Sequence, residues 1–132
     1  MLSPLVRIVD SISELDADDA GVIAVSGSHG GLSAGRYGLR IRPLLAVFND
    51  AGVGREAAGI AGLELMQTAG LAACTVAHSS ARIGDASSTI EDGVISHCNA
   101  AAASMGVGSG QTCRNAIAVA QSYSFLSPNT KP

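Results

Sequence analysis

Tryptophan is absent from this 132-residue chain, and phenylalanine and tyrosine occur only twice each. The core must therefore be built from Ala, Val, Ile and Leu, with glycine allowing close backbone approach. Charge is scarce too: Asp, Glu, Lys and Arg make up 14% of the residues against 47% hydrophobic ones, so a large part of the exterior is poorly solvated. Lys131 is the single lysine, and the arginines are scattered apart from Arg36, Arg40 and Arg42. Without a basic stripe interleaved with aromatics, the chain has nothing with which to follow a nucleic-acid backbone. Long apolar runs are missing as well. Residues 21–25, 43–48 and 69–77 form the longest, well short of the roughly 20 residues that a membrane-spanning helix needs. No basic region followed by an apolar stretch is visible near Met1, so no secretory signal is read and a cytoplasmic location is expected. Cys74, Cys98 and Cys113 are odd in number and lack CxxC spacing. They fit buried thiols in a reducing compartment, not a disulfide framework or a cysteine metal site.

What is present is one domain's worth of alternating elements, expected over residues 1–126 with a flexible tail at 127–132. The net charge of −3 is concentrated, because Asp10, Glu14, Asp16, Asp18 and Asp19 lie close together. Leu5 to Val9 reads as a short strand, and Ser11 with Glu14 forms a capping box that predicts a short acidic helix. Val22 to Val25, Leu44 to Phe48 and Leu71 to Val76 are apolar runs of the kind buried on both faces of a parallel sheet. Between them, helical spacing predicts helices from Leu32 to Leu39, ended by Pro43, and from Gly54 to Ala69, closed by Gly70. A second capping box, Ser88 to Glu91, predicts a helix with Ile90, Val94, Cys98, Ala101 and Met105 on one stripe, ended by Gly106. Ser109 is expected to cap a last helix running through Cys113, Ile117 and Ala120. Four alternations of strand and helix predict a three-layer α/β fold with a mostly parallel sheet of about four strands. Strand order is not deducible: Arg7 argues for an edge position of the first strand, whereas a doubly wound order would place it near the middle.

Ligands of parallel sheets bind beyond the carboxyl ends of the strands, where loops meet helix N-termini. The loops predicted there are Ser26 to Gly31, Asn49 to Arg55 and Ala77 to Asp85, and they hold two of the three histidines. His29, Asp50 and His78 are the expected proton-handling set, His29 and His78 as acid or base and Asp50 as base or orienter. Ser28, Gly30, Gly31, Asn49, Ser79, Ser80 and Arg82 are the expected ligand-binding residues, with the Gly30 and Gly31 amides placed to cradle an anion. Plainer readings exist: tight turns for the glycines, an Asx turn for Asp50, and an internal pair with Asp50 or Asp85 for Arg82.

Gly52-Val53-Gly54-Arg55-Glu56-Ala57 matches GxGxxA, but three residues separate it from its strand and Asp50 would repel a pyrophosphate, so a dinucleotide site is rejected. No GxxxxGK[ST], GxSxG or HExxH occurs, no metal site is expected, and the sequence identifies no cofactor. His97 and Cys98 are read on the helix, His97 at the edge of its apolar stripe and Cys98 within it, so they do not form a catalytic pair and Cys98 is assigned to the core. The functional expectation is a small enzyme using acid/base chemistry of hydrolase or lyase type on an anionic small molecule. A non-catalytic ligand-binding or regulatory subunit and a structural self-assembling domain are the alternatives. Low charge, and Ile60 predicted on the outer face of its helix with Glu56, Glu64 and Gln67, point to a homo-oligomer.

Overall fold

Four short, largely apolar runs separated by glycine-punctuated turns set the sheet. In the computed structural model, which describes residues 4–126, β1 (Val6–Val9), β2 (Ile23–His29), β3 (Leu45–Asn49) and β4 (Ala72–Val76) lie side by side in chain order and run parallel. β5 (Ile95–Cys98) adds antiparallel to β4 and completes a five-stranded sheet. β3 and β4 are buried throughout, whereas β1 lies at the edge, the position for which Arg7 argues, with Leu5 before it and Ile8 within it exposed.

The three parallel connections all step the same way across the sheet, so right-handed crossovers place them on one face. That face carries 3-10 turns at Ile12–Glu14 and Ala17–Asp19, then α1 (Leu32–Ile41) and α2 (Ala61–Gln67). They bury Ile12, Ile41, Leu63 and Met66 against Ala24, Ala46, Phe48 and Ala73. The helices meet through glycine: a Cβ on Gly35 would lie 2.8 Å from the Gly62 Cα, so no larger residue fits at that crossing. The antiparallel return to β5 carries no handedness constraint. α3 (Ala86–Asp92), α4 (Ala100–Met105) and α5 (Cys113–Leu126) follow on the opposite face, where Cys113, Ala116, Ile117 and Ala120 join Ile23, Val25, Leu45, Val47 and Cys74. The protein is therefore a three-layer α/β fold, and no helix among the described residues is long and apolar enough to cross a membrane.

Several local expectations are corrected. The Ser11–Glu14 capping box forms, but it opens a single 3-10 turn, because Asp16 immediately caps another. Of the helix expected from Gly54 to Ala69, only Ala61–Gln67 is α-helical. Arg55–Ile60 is 3-10 and is interrupted at Glu56 (φ +55°) and Ala57 (φ +59°). That break shifts the helical phase, so Ile60 packs half-buried against Leu63 and its neighbours, and Leu63 itself is buried. Ala58 and Ala69, expected inside, are exposed. The cap of α3 is Asp85, whose carboxylate accepts the Ser88 amide at 3.0 Å, not Ser88. α3 stops before Gly93, so the expected stripe from Ile90 to Met105 is divided among a helix, a strand and a second helix. Thr112, not Ser109, caps α5, through the Asn115 amide at 3.1 Å. Gly106, with φ +102°, ends α4 as expected, and residues 127–132 lie outside the described ones.

Candidate functional site

At the carboxyl end of the sheet the loop leaving β3 turns toward α2, and the loop leaving β4 turns toward α3 on the other face. Asp50 sits at the base of the fork so formed, 4% exposed. Its Oδ1 accepts the Gly52 amide at 2.8 Å and the His78 amide at 3.0 Å, which ties the two loops to one carboxylate. Two imidazoles face the same group. His78 Nδ1 lies 3.5 Å from Oδ1, and His97 Nδ1 lies 3.9 Å from Oδ2. Burial pushes the Asp50 carboxyl up, but the Gly52 amide, the Ser96 hydroxyl, the His78 amide and the His78 ring together outweigh it and hold the group below its ordinary value. Asp50 is therefore a fixed anion at neutral pH, and both rings reach solvent.

β5 supplies the far wall. Ser96 Oγ contacts Thr75 Oγ1 at 2.9 Å and His97 Nδ1 at 3.2 Å, so the cluster runs Thr75, Ser96, His97, Asp50, His78 across two strands and two loops. His97 and Cys98 also border a concavity of about 400 Å3 whose other walls are the 55–60 turn and the start of α2. The near wall is strained. Ala51 (φ +52°), Val53 (φ +68°), Glu56 and Ala57 all occupy left-handed backbone conformations, each costing on the order of 1–3 kcal/mol for a residue with a side chain. Val53, being β-branched, is the most unfavourable of these. The Val53 amide bonds the Asp50 carbonyl at 2.6 Å and the Gly59 amide bonds the Val53 carbonyl at 2.7 Å, so the strain is held in place next to the carboxylate.

The structure brings only part of the predicted set together. Asp50 and His78 are in contact. His29 is exposed at the end of β2 and, with Ser28, lines a different concavity of about 390 Å3 near β1 and α1. Ser28 Oγ accepts the Ile12 amide at 3.0 Å. Gly30 and Gly31 are buried; the Gly30 amide donates to the Asn49 carbonyl and the Gly30 carbonyl accepts the Gly62 amide, so the expected anion cradle lacks one of its donors. Asn49 links the loops through Ala81 and Ala51, at 3.1 and 2.8 Å. Ser80 bonds the Ala77 carbonyl and the Val94 amide, Ser79 is exposed, and Arg82 reaches Asp85 at 3.4 Å in solvent.

His97 and Ser96 belong to the cluster, and the sequence reading missed both by placing them on a helix. Gly93 followed by Val-Ile-Ser-His-Cys was the signal for a strand. No group of three or more His, Cys, Asp or Glu among the described residues is arranged to hold a metal ion. Fold and cluster together define a single-sheet α/β protein with a carboxylate and two imidazoles at the carboxyl edge of its strands. No family model, curated protein or solved structure matches the chain.

Proposed function

We propose that the protein is an acid/base catalyst whose proton-handling set is Asp50, His78 and His97. The observation that carries this reading is one buried, ionised carboxylate, unable to rotate because two amides grip Oδ1, faced by two imidazoles from independent elements. A carboxylate so placed favours the Nδ1–H tautomer of either ring, directs Nε2 outward as a base, and stabilises the imidazolium once a proton is taken. The two separations exceed hydrogen-bond length and close by a small ring rotation or through one water, as happens when substrate enters such a site. One ring accepts a proton from the substrate at Nε2 and, as the imidazolium held beside the carboxylate, returns that proton to the leaving group. An anionic small molecule would have to be met by Arg55 or Arg82, exposed on the loops that follow β3 and β4, since the concavity beside His97 carries Glu56 and Glu64 and no cation of its own.

A structural role has its own support, since the two amide bonds alone would explain a buried aspartate joining two loops. The imidazoles separate the readings. Ring 15N shifts report the tautomers of His78 and His97, and turnover is followed by NMR on a panel of phosphorylated and carboxylated metabolites. Nδ1–H tautomers that redistribute in Asp50→Asn, with turnover lost in His78→Gln or His97→Gln, are expected. Rings indifferent to Asp50→Asn would leave the aspartate a structural tie.

A further inference from the structure

We infer that the concavity bordered by the ends of β1 and β2 and the start of α1 is a second site, which binds a neutral polyhydroxylated molecule of sugar size. It holds about 390 Å3, within the range of small-molecule pockets, roughly 300–1,000 Å3. Four separate segments build it: the 10–13 turn, the end of β2, the first turns of α1 and the 83–84 loop. No residue of the Asp50 cluster lines it, so this inference stands apart from the acid/base proposal.

The lining chemistry selects the ligand. Asp10 is the one carboxylate, and neither lysine nor arginine contributes. Its Oδ1 accepts the Ala86 amide at 2.9 Å, which fixes the carboxylate and leaves Oδ2 without a donor among the described residues. The same concavity is lined by His29, Ser33 and Tyr37, whose side chains make no hydrogen bond among the described residues. A hydroxyl, unlike an anion or a cation, both donates and accepts, so a polyol satisfies the carboxylate and the Ser, Tyr and His groups at once. The half-buried Tyr37 ring, held by the Arg40 guanidinium 4.9 Å from its centroid, adds an apolar wall for the C–H face of a sugar. The free amides at the start of α1 would favour a phosphate, but Asp10 opposes one in a pocket with no cation to offset it.

Titration of the 15N-labelled protein with D-glucose, D-ribose and inorganic phosphate, followed through the amides of Ser13, Ser28, His29 and Ser33, tests the inference. Saturable shifts of these amides together with at least one sugar, at millimolar concentrations, are expected. Asp10→Asn, which keeps the Ala86 bond through its remaining oxygen, should weaken binding about tenfold by removing a charge-assisted hydrogen bond. An unmoved Ala86 amide verifies that the pocket is intact in that variant. Shifts with phosphate alone, no shifts with either sugar, or equal sugar binding by Asp10→Asn would each overturn it.

Discussion

Asp50 can be taken apart into shape and charge, and the two contributions differ in size and in pH dependence. Asp50→Ala removes the acceptor for both the Gly52 and His78 amides. Each amide left without a partner costs about 1–3 kcal/mol, and since both are only part-buried the lower half of that range applies, giving about 2–4 kcal/mol in total. Asp50→Asn keeps an oxygen in the same place and loses only the charge assistance, about 1 kcal/mol at neutral pH. The carboxyl lies below its ordinary value in the folded protein, so its stabilisation is complete above the unfolded value and disappears as pH falls through the folded one. The remaining carboxylates titrate in wild type and variant alike and cancel in the difference. Urea unfolding followed by far-UV circular dichroism, repeated from pH 7 to about pH 3, should show the wild type losing its advantage over Asp50→Asn in the acid range, below about pH 4. A gap that stays constant or widens on acidification would refute the assignment of a depressed, charge-stabilised Asp50.

Two further outcomes follow from the packing. Asn99 is buried and uses its whole amide: Oδ1 accepts from Ala73 and Ala102, and Nδ2 donates to the Leu63 and Leu71 carbonyls. Asn99→Ala should therefore lose about 4 kcal/mol in urea unfolding with an unchanged slope, and a loss below about 1 kcal/mol would contradict that bonding. Burial raises the Cys74 thiol well above its ordinary value, raises Cys98, and pushes Cys113 up to about 12. Cys98, the half-buried one, should react first with a maleimide in native protein and the other two only on unfolding, with peptide mapping as the check.

The sequence displayed most of the sheet and part of the site, and the failures have physical causes. β2, β3 and β4 were legible because residues buried on both faces leave continuous apolar runs, and Arg7 argued for an edge position of β1. β5 was not, because residues four apart share a side in a strand as well as on a helix, so Ile90, Val94 and Cys98 satisfy both periods. With β5 unread, His97 fell on a helix beside Cys98 and could not be joined to Asp50. The same ambiguity did not affect Asp50 and His78, each of which directly follows, or nearly follows, a legible strand. His29 shares their edge, as the parallel reading requires, but the side to which its ring turns depends on the irregular register between β2 and β3 after Val25, which no local pattern reveals. Nor does composition foretell left-handed backbone at Glu56 and Ala57, residues that rarely adopt it, and the helical phase beyond them was lost for that reason.

Because the parallel strands are laid down in chain order with every crossover on one face, synthesis exposes the other face before anything can cover it. Ile23, Val25, Leu45, Val47, Cys74 and Val76 form an apolar surface as soon as β4 has paired, yet the helices that bury it all lie beyond residue 85. A nascent chain that pairs β1 to β4 before the later helices dock would carry two finished layers and one bare one. Such a surface is sticky toward other chains and toward holding chaperones until α5 emerges. Protection of the newborn protein depends on how quickly its last helix arrives, and a slow stretch of translation placed between β4 and α5 would be expected to lower the yield of folded product without changing a single native contact.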